Sequence, residues 1–309
     1  MPLVHLDYIY RTQLEMKLAN PQRLLGVSLL TAFALIGSAS ARDWHVSNRY
    51  GNDSNAGWNN SKLKNIATAI GRAKPGDRVL VHNNGWNYGK GSDGFAINLH
   101  GGKRNIRVVG ASGKPNIRGR VNIQNDNKIE NLDISTGGDR NYAVFMNGGW
   151  NPSVIRCSVH DCDGGGIGTR YGNNFTINNN SVWNTGKNSG FDKNSAHSGI
   201  SVYQPTGSKG GYVNVRWNTS NGNKRKRGSF DGNGIIIDDF NNRQSGGRGG
   251  WYSGNVTVNG NTTKWNAGYG IRVFDSRASI INRKKYFSWG NTVSNNGDGN
   301  NKWADVGGK

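Results

Sequence analysis

The stretch GIIID, residues 234–238, is an apolar run that opens on glycine and closes on an acid. It does not stand alone. AVFMN at 143, GIGTR at 166, GISVY at 199 and GIRVF at 270 align with it without gaps, their starts 23, 33, 35 and 36 residues apart. A second column contains NNSV at 179, WNTS at 217, GNTT at 260 and GNTV at 290, each after an apolar alternation such as FTI, VNV or VTV. Strands of four or five residues at such a period do not pair as hairpins of one sheet. They suit the coils of a solenoid, each coil giving one strand to each of several parallel sheets. The uneven spacing then places variable loops at fixed corners: GKNSGFDKNSA, NKRKRGSF and FNNRQSGGRGG.

Side chains alternate faces along a strand, so the aligned segments can be sorted. One inward column is Val144, Ile167, Ile200, Ile235 and Ile271, and the other is Met146, Thr169, Val202, Ile237 and Val273. All but Thr169 are apolar, as stacked core rows require. Asn180, Asn218, Asn261 and Asn291 recur at one corner, where stacked amides can hydrogen-bond from coil to coil. Composition agrees: 47 glycines, two glutamates and 34% apolar residues argue against a helical protein and for a narrow core built from short runs.

The N-terminal segment reads differently. Lys17 and Arg23 precede the fourteen-residue apolar run LLGVSLLTAFALIG, and SASA follows. This is the pattern of a secretory signal peptide over residues 1–41, with 1–15 as an upstream extension. The run is too short to span a bilayer comfortably. The expected product is secreted, with one domain over 42–309. Its net charge is +19, because residues 1–41 carry three basic and two acidic side chains of the chain's 39 and 19. Such a charge expects anionic partners. Cys157 and Cys162, in CSVHDC, are open to a local bridge or to two buried thiols. Over 42–77, DWHVSNRYGNDSNAGW leads to NIATAIGRAKPGDRVLV, which predicts a short amphipathic helix, a KPGD turn and a strand. That helix would cover the open end of a solenoid.

With these residues the chain resembles the pectate-lyase-like superfamily of right-handed parallel β-helices, over roughly residues 42–300. The resemblance implies an all-β, single-stranded right-handed parallel β-helix with an N-terminal capping helix. It also implies a groove along one sheet that binds an extended acidic polysaccharide, in a secreted and monomeric protein. Lyases of this superfamily remove the proton α to a uronate carboxylate, whose charge calcium or arginine must neutralise.

The outward face carries the candidate residues. Its columns are Phe145, Gly168, Ser201, Ile236, Arg272 and then Asn147, Arg170, Tyr203, Asp238, Phe274, with Asp239 and Asp275 just beyond. Neighbouring coils lie about 4.8 Å apart, so Asp238, Asp239 and Asp275, with Asp231 nearby, make a candidate Ca²⁺ site. Solvated acids paired with Arg272 and Arg277 are the plainer alternative. Arg272 is the first candidate for base or carboxylate clamp, followed by Arg170, His197 and Lys264. Tyr203, Phe274, Asn147 and Arg170 are candidates for holding sugar. HDCD at 160–163 invites a metal reading, but His160 and Asp161 align with Trp183 and Asn184 one coil later, which favours a structural row. A Ca²⁺-dependent lyase acting on a uronate polysaccharide is the leading expectation. A hydrolase with Asp238 and Asp239 as acid and base, an epimerase, and a non-catalytic polyanion-binding solenoid are the alternatives. No recognised nucleic-acid motif occurs.

Overall fold

The computed structural model describes residues 40–187, 197–203, 211–225, 232–238, 255–273, 286–299 and 301–302. Residues 1–39 of the segment expected to be a signal peptide, and most of the three long corner loops, lie outside them. The chain divides at Ser40/Ala41 into two units, of which the second is the solenoid. Among the described residues it forms three parallel sheets, which we call sheet 1 (nine strands, from Asp43–Val46), sheet 2 (seven, from Asn116–Arg118) and sheet 3 (eight, from Phe95–Leu99). One coil runs Ile167–Arg170 in sheet 3, Phe175–Asn178 in sheet 1 and Ser181–Thr185 in sheet 2. The next coil repeats the order, so each strand pairs with its counterparts one coil before and after. This is a parallel β-helix.

The aligned segments pair in the expected register, Val144 with Ile167, Ile167 with Ile200, Ile200 with Ile235 and Ile235 with Ile271. All ten inward side chains are at most 1% exposed, which settles the parity. Glycine opens four of these segments for a steric reason. A Cβ at Gly166 would lie 2.4 Å from the Gly199 carbonyl oxygen, and one at Gly234 would lie 2.6 Å from that of Gly270. Those oxygens accept from the N–H groups of Ile167 and Ile235.

The middle coils turn from sheet 1 to sheet 2 at a left-handed residue followed by a buried one. Asn179, with φ 56°, precedes Asn180, and Trp217, with φ 53°, precedes Asn218. The buried amides form the expected ladder. Asn180 donates its backbone and side-chain N–H to Asn218, Asn218 to Asn261, and Asn261 to Asn291. Five residues later a second ladder closes the turn from sheet 2 to sheet 3, through Asn223, Asn266 and Asn296. Cys157 and Cys162 have the same offset, one at each corner of one coil. Both are buried and free; Cys157 precedes the strand Ser158–Cys162 and Cys162 ends it. Burial pushes each thiol up to about 11.

The capping helix is present as α1 (Ile66–Arg72), with Ile66, Ala69 and Ile70 buried. It packs on the first strand of sheet 3 and the first strands of sheet 1, closing the core at that end. Asp53 accepts the N–H of Lys64 and Asn65 just ahead of it. After the KPG turn, Asp77 accepts from the backbone of Arg42 and Lys74 and from the indole of Trp44, tying the helix exit to the first strand.

Candidate functional site

The outward column of sheet 3 is in the expected register from Phe145 to Arg272, and it continues upstream through Asn122 and Asn98. Its exposure is uneven. Ser201, Ile236 and Arg272 are 1%, 2% and 4% exposed, so the face is covered in the later coils. It opens upstream, where a hollow of about 390 Å³ lies against Phe95, Arg120, Asn122, Phe145, Asn147 and Arg170. Tyr142, His197, Tyr203 and a second histidine, His100, also line its wall.

Two glycines shape that wall. A Cβ at Gly165 or Gly168 would lie 2.3 or 2.6 Å from the Tyr142 ring, so the ring can lie flat across the sheet only because both side chains are absent. Tyr142 stacks on Phe145, with centroids 5.4 Å apart and planes 7° apart, and meets His197 edge-on at 5.2 Å. Burial of His197 drives its pKa down to about 4. The imidazole is therefore neutral at pH 7 and keeps a lone pair.

Two guanidinium groups face the hollow. Arg170 lies 4.5 Å from the Tyr171 ring centroid and 5.4 Å from that of Tyr203, and donates to the Tyr171 hydroxyl at 2.8 Å. Arg120 lies 4.6 Å over Phe95 and pairs with Asp139 at 3.1 Å. Burial disfavours the charge on Asp139. Hydrogen bonds from Asn141, with Arg120 and Lys90, outweigh it and hold the carboxyl below its ordinary value. No Asp or Glu lines the hollow among the described residues.

Four of the residues singled out from sequence are thus brought together: Arg170, His197, Tyr203 and Asn147. Two are not. Arg272 keeps its column but is buried two coils past the strand Ile200–Tyr203, against Tyr269 at 5.4 Å. Lys264 belongs to sheet 2, paired with Asn221 and Ser294, because GNTTKW is a sheet 2 corner and not a continuation of the GI segments. Asp238 holds the strand position beside Tyr203 one coil on. Phe274 and the other proposed calcium ligands, Asp239, Asp275 and Asp231, lie outside the described residues. Among the described residues no group of three or more His, Cys, Asp or Glu could hold a metal ion. His160 is aligned with Trp183 and stacked on it at 4.4 Å. Its ring nitrogens meet Asp133 at 2.6 Å and Asp161 at 2.8 Å.

Arg120 and Tyr142 were missed. The signal was available: RVNIQ at 120–124 precedes AVFMN by the same 23 residues that separate AVFMN from GIGTR, and the structure pairs Val121 with Val144.

A model of the right-handed β-helix region family matches residues 95–296. No curated protein matches the chain in sequence. Among solved structures, a rhamnogalacturonan lyase is 13% identical with a TM-score of 0.45, covering 75% of this chain and 73% of that one. The pectate lyase Pel9A is 18% identical at 0.42, covering 88% and 82%. A GH136 lacto-N-biosidase from Eubacterium ramulus is 13% identical at 0.39, covering 74% of this chain and 56% of its own. Likenesses at this level carry no argument about chemistry.

Proposed function

This chain belongs to the right-handed β-helix family, and we propose that it is a secreted polysaccharide lyase that breaks a uronate-containing chain by β-elimination at the hollow on sheet 3. The observation that carries the reading is the meeting of two guanidinium groups and a neutral imidazole around an aromatic floor. Arg170 holds the uronate carboxylate and withdraws its charge, so that the neighbouring C–H becomes acidic. His197 accepts that proton. Its basicity rises when the anionic sugar arrives, because a nearby negative charge favours the imidazolium. The electron pair forms the C=C bond as the C–O bond at the β carbon breaks, and the leaving oxygen takes a proton from solvent. Tyr142, Phe145 and Tyr203 offer flat apolar faces to sugar rings. A hydrolase would need two carboxylates across the scissile bond, which the described lining does not contain.

Calcium at Asp238, Asp239, Asp275 and Asp231 is a separate part of the proposal. Oxygen ligands of that kind suit the ion. The test is incubation of the full chain with a panel of uronate polysaccharides, with Ca²⁺ or chelator, following the near-ultraviolet absorbance of an unsaturated product. A rise on one substrate supports elimination, and its loss in chelator supports the metal. New reducing ends without absorbance would replace the lyase reading with a hydrolase.

A further inference from the structure

Trp217 and Trp265 are 53% and 62% exposed, and both have left-handed backbones, with φ of 53° and 55°. Bulky residues rarely adopt this region, which favours Gly and Asn. The neighbouring coils obey that preference, with Asn179 and Gly260 at the corner of Trp217 and Gly222 and Asn295 at that of Trp265. A strained backbone that holds an indole out in water serves neither local conformation nor the core. Strain of this kind concentrates at functional positions.

The surroundings indicate what the indoles would meet. They flank sheet 2 at its two corners in successive coils. Lys264, in sheet 2, precedes Trp265, and its ammonium lies 6.0 Å from the Trp265 ring centroid; Arg216, which precedes Trp217, ends the adjoining sheet 1 strand. Residues 211–225 and 255–273 contain no Asp or Glu. Between the corners, Ser181, Thr219, Thr262 and Thr292 form one outward column in register, offering hydroxyls at each coil. Trp217 is also braced: its ring lies so close over the next corner that a Cβ at Gly260 would be 2.4 Å away.

We propose that this face of sheet 2 is a second, non-catalytic binding surface for an acidic polysaccharide. Trp217 and Trp265 stack on sugar rings, Lys264 meets a carboxylate, and the hydroxyl column meets ring hydroxyls. The choice of polymer rests on the proposed function; the surface itself does not.

The test is affinity electrophoresis of the full chain in gels containing a uronan, a neutral glucan or single-stranded DNA, together with Tm and turnover of a short uronate oligosaccharide. The variant is Trp217→Asn with Trp265→Asn, which installs the residue that other coils carry there. Retention by uronan is expected to weaken about fivefold or more, with turnover of the short substrate unchanged and Tm equal or higher. Unchanged retention would overturn the proposal. So would a lower Tm, which would make the indoles structural, or wild-type retention stronger on neutral glucan or DNA than on uronan. A wild type that cleaves no uronan yet binds it through these indoles would sink the lyase reading and leave this surface standing. Cleavage with indole-independent binding would do the reverse.

Discussion

Arg170 and His197 bring different things to the hollow, and their substitutions separate. Under the proposed lyase reading Arg170→Gln removes the charge that holds the uronate carboxylate and is expected to lower kcat/KM by about 100- to 1,000-fold, the range for losing one such donor, with the fold intact by circular dichroism. Arg170→Lys restores the charge but not the planar fork, and recovers only part of the loss. His197 makes its own prediction through pH. Its folded pKa of about 4 lies below the ordinary value of 6.5. The unfolded chain therefore takes up a proton between those values that the native state refuses, and stability falls as pH drops from about 6.5 to about 4. The whole window corresponds to roughly 3 kcal/mol. In urea titrations across it, His197→Gln should lose less stability than wild type; parallel curves would mean the imidazole is not buried. Gly168→Val should displace the Tyr142 ring, whose Cδ1 lies 2.6 Å from a Cβ at that position, and raise KM more than it changes Tm.

At the scale of the element, the corners govern order. Asn218 accepts two hydrogen bonds from Asn180 and donates to Asn261 and to the Ile177 carbonyl, all of them buried. Asn218→Ala strands the Asn180 groups and is expected to cost about 2–3 kcal/mol, a large loss for one side chain. Chemical denaturation would measure it. Both ladders share a five-residue offset, Asn218 to Asn223 and Asn261 to Asn266, and the offset is visible in the bare sequence as NTSNGN and NTTKWN. The first ladder was legible because its Asn follow an apolar alternation. The second was overlooked because its Asn precede loops of unequal length and so do not align by spacing from the next strand. The same offset decides the cysteines: a residue at each end of one strand cannot reach the other to form a disulfide.

For the whole molecule, stacking makes the core a set of continuous rows closed by α1. Cys157 and Cys162 lie in those rows, at 0% exposure. Their thiols should stay unreactive toward a disulfide reagent in the native state and label together in the unfolding transition; early labelling of Cys162 alone would mean that the two corners of one coil open separately. The net charge of +20 acts at longer range. Retention on any uronan should weaken steadily with ionic strength, because exposed charges are screened within about 10 Å at 0.1 M salt.

The sequence by itself determined the coil, the register and the identity of the inward rows. These depend on a two-residue alternation and a glycine at a fixed place, and both are local and periodic. It also identified sheet 3 as the face that carries Asn147, Arg170 and Tyr203. Tertiary structure alone decided where that face is open. Arg272 and Ser201 stand in the same outward column as Phe145, yet they are buried and Phe145 borders the hollow. Exposure depends on what lies over a strand, and no periodicity along the strand records it. The placement of Tyr142 and Arg120 beside His197 likewise joins residues 22 to 77 positions apart, through the stacking of coils whose loops differ in length.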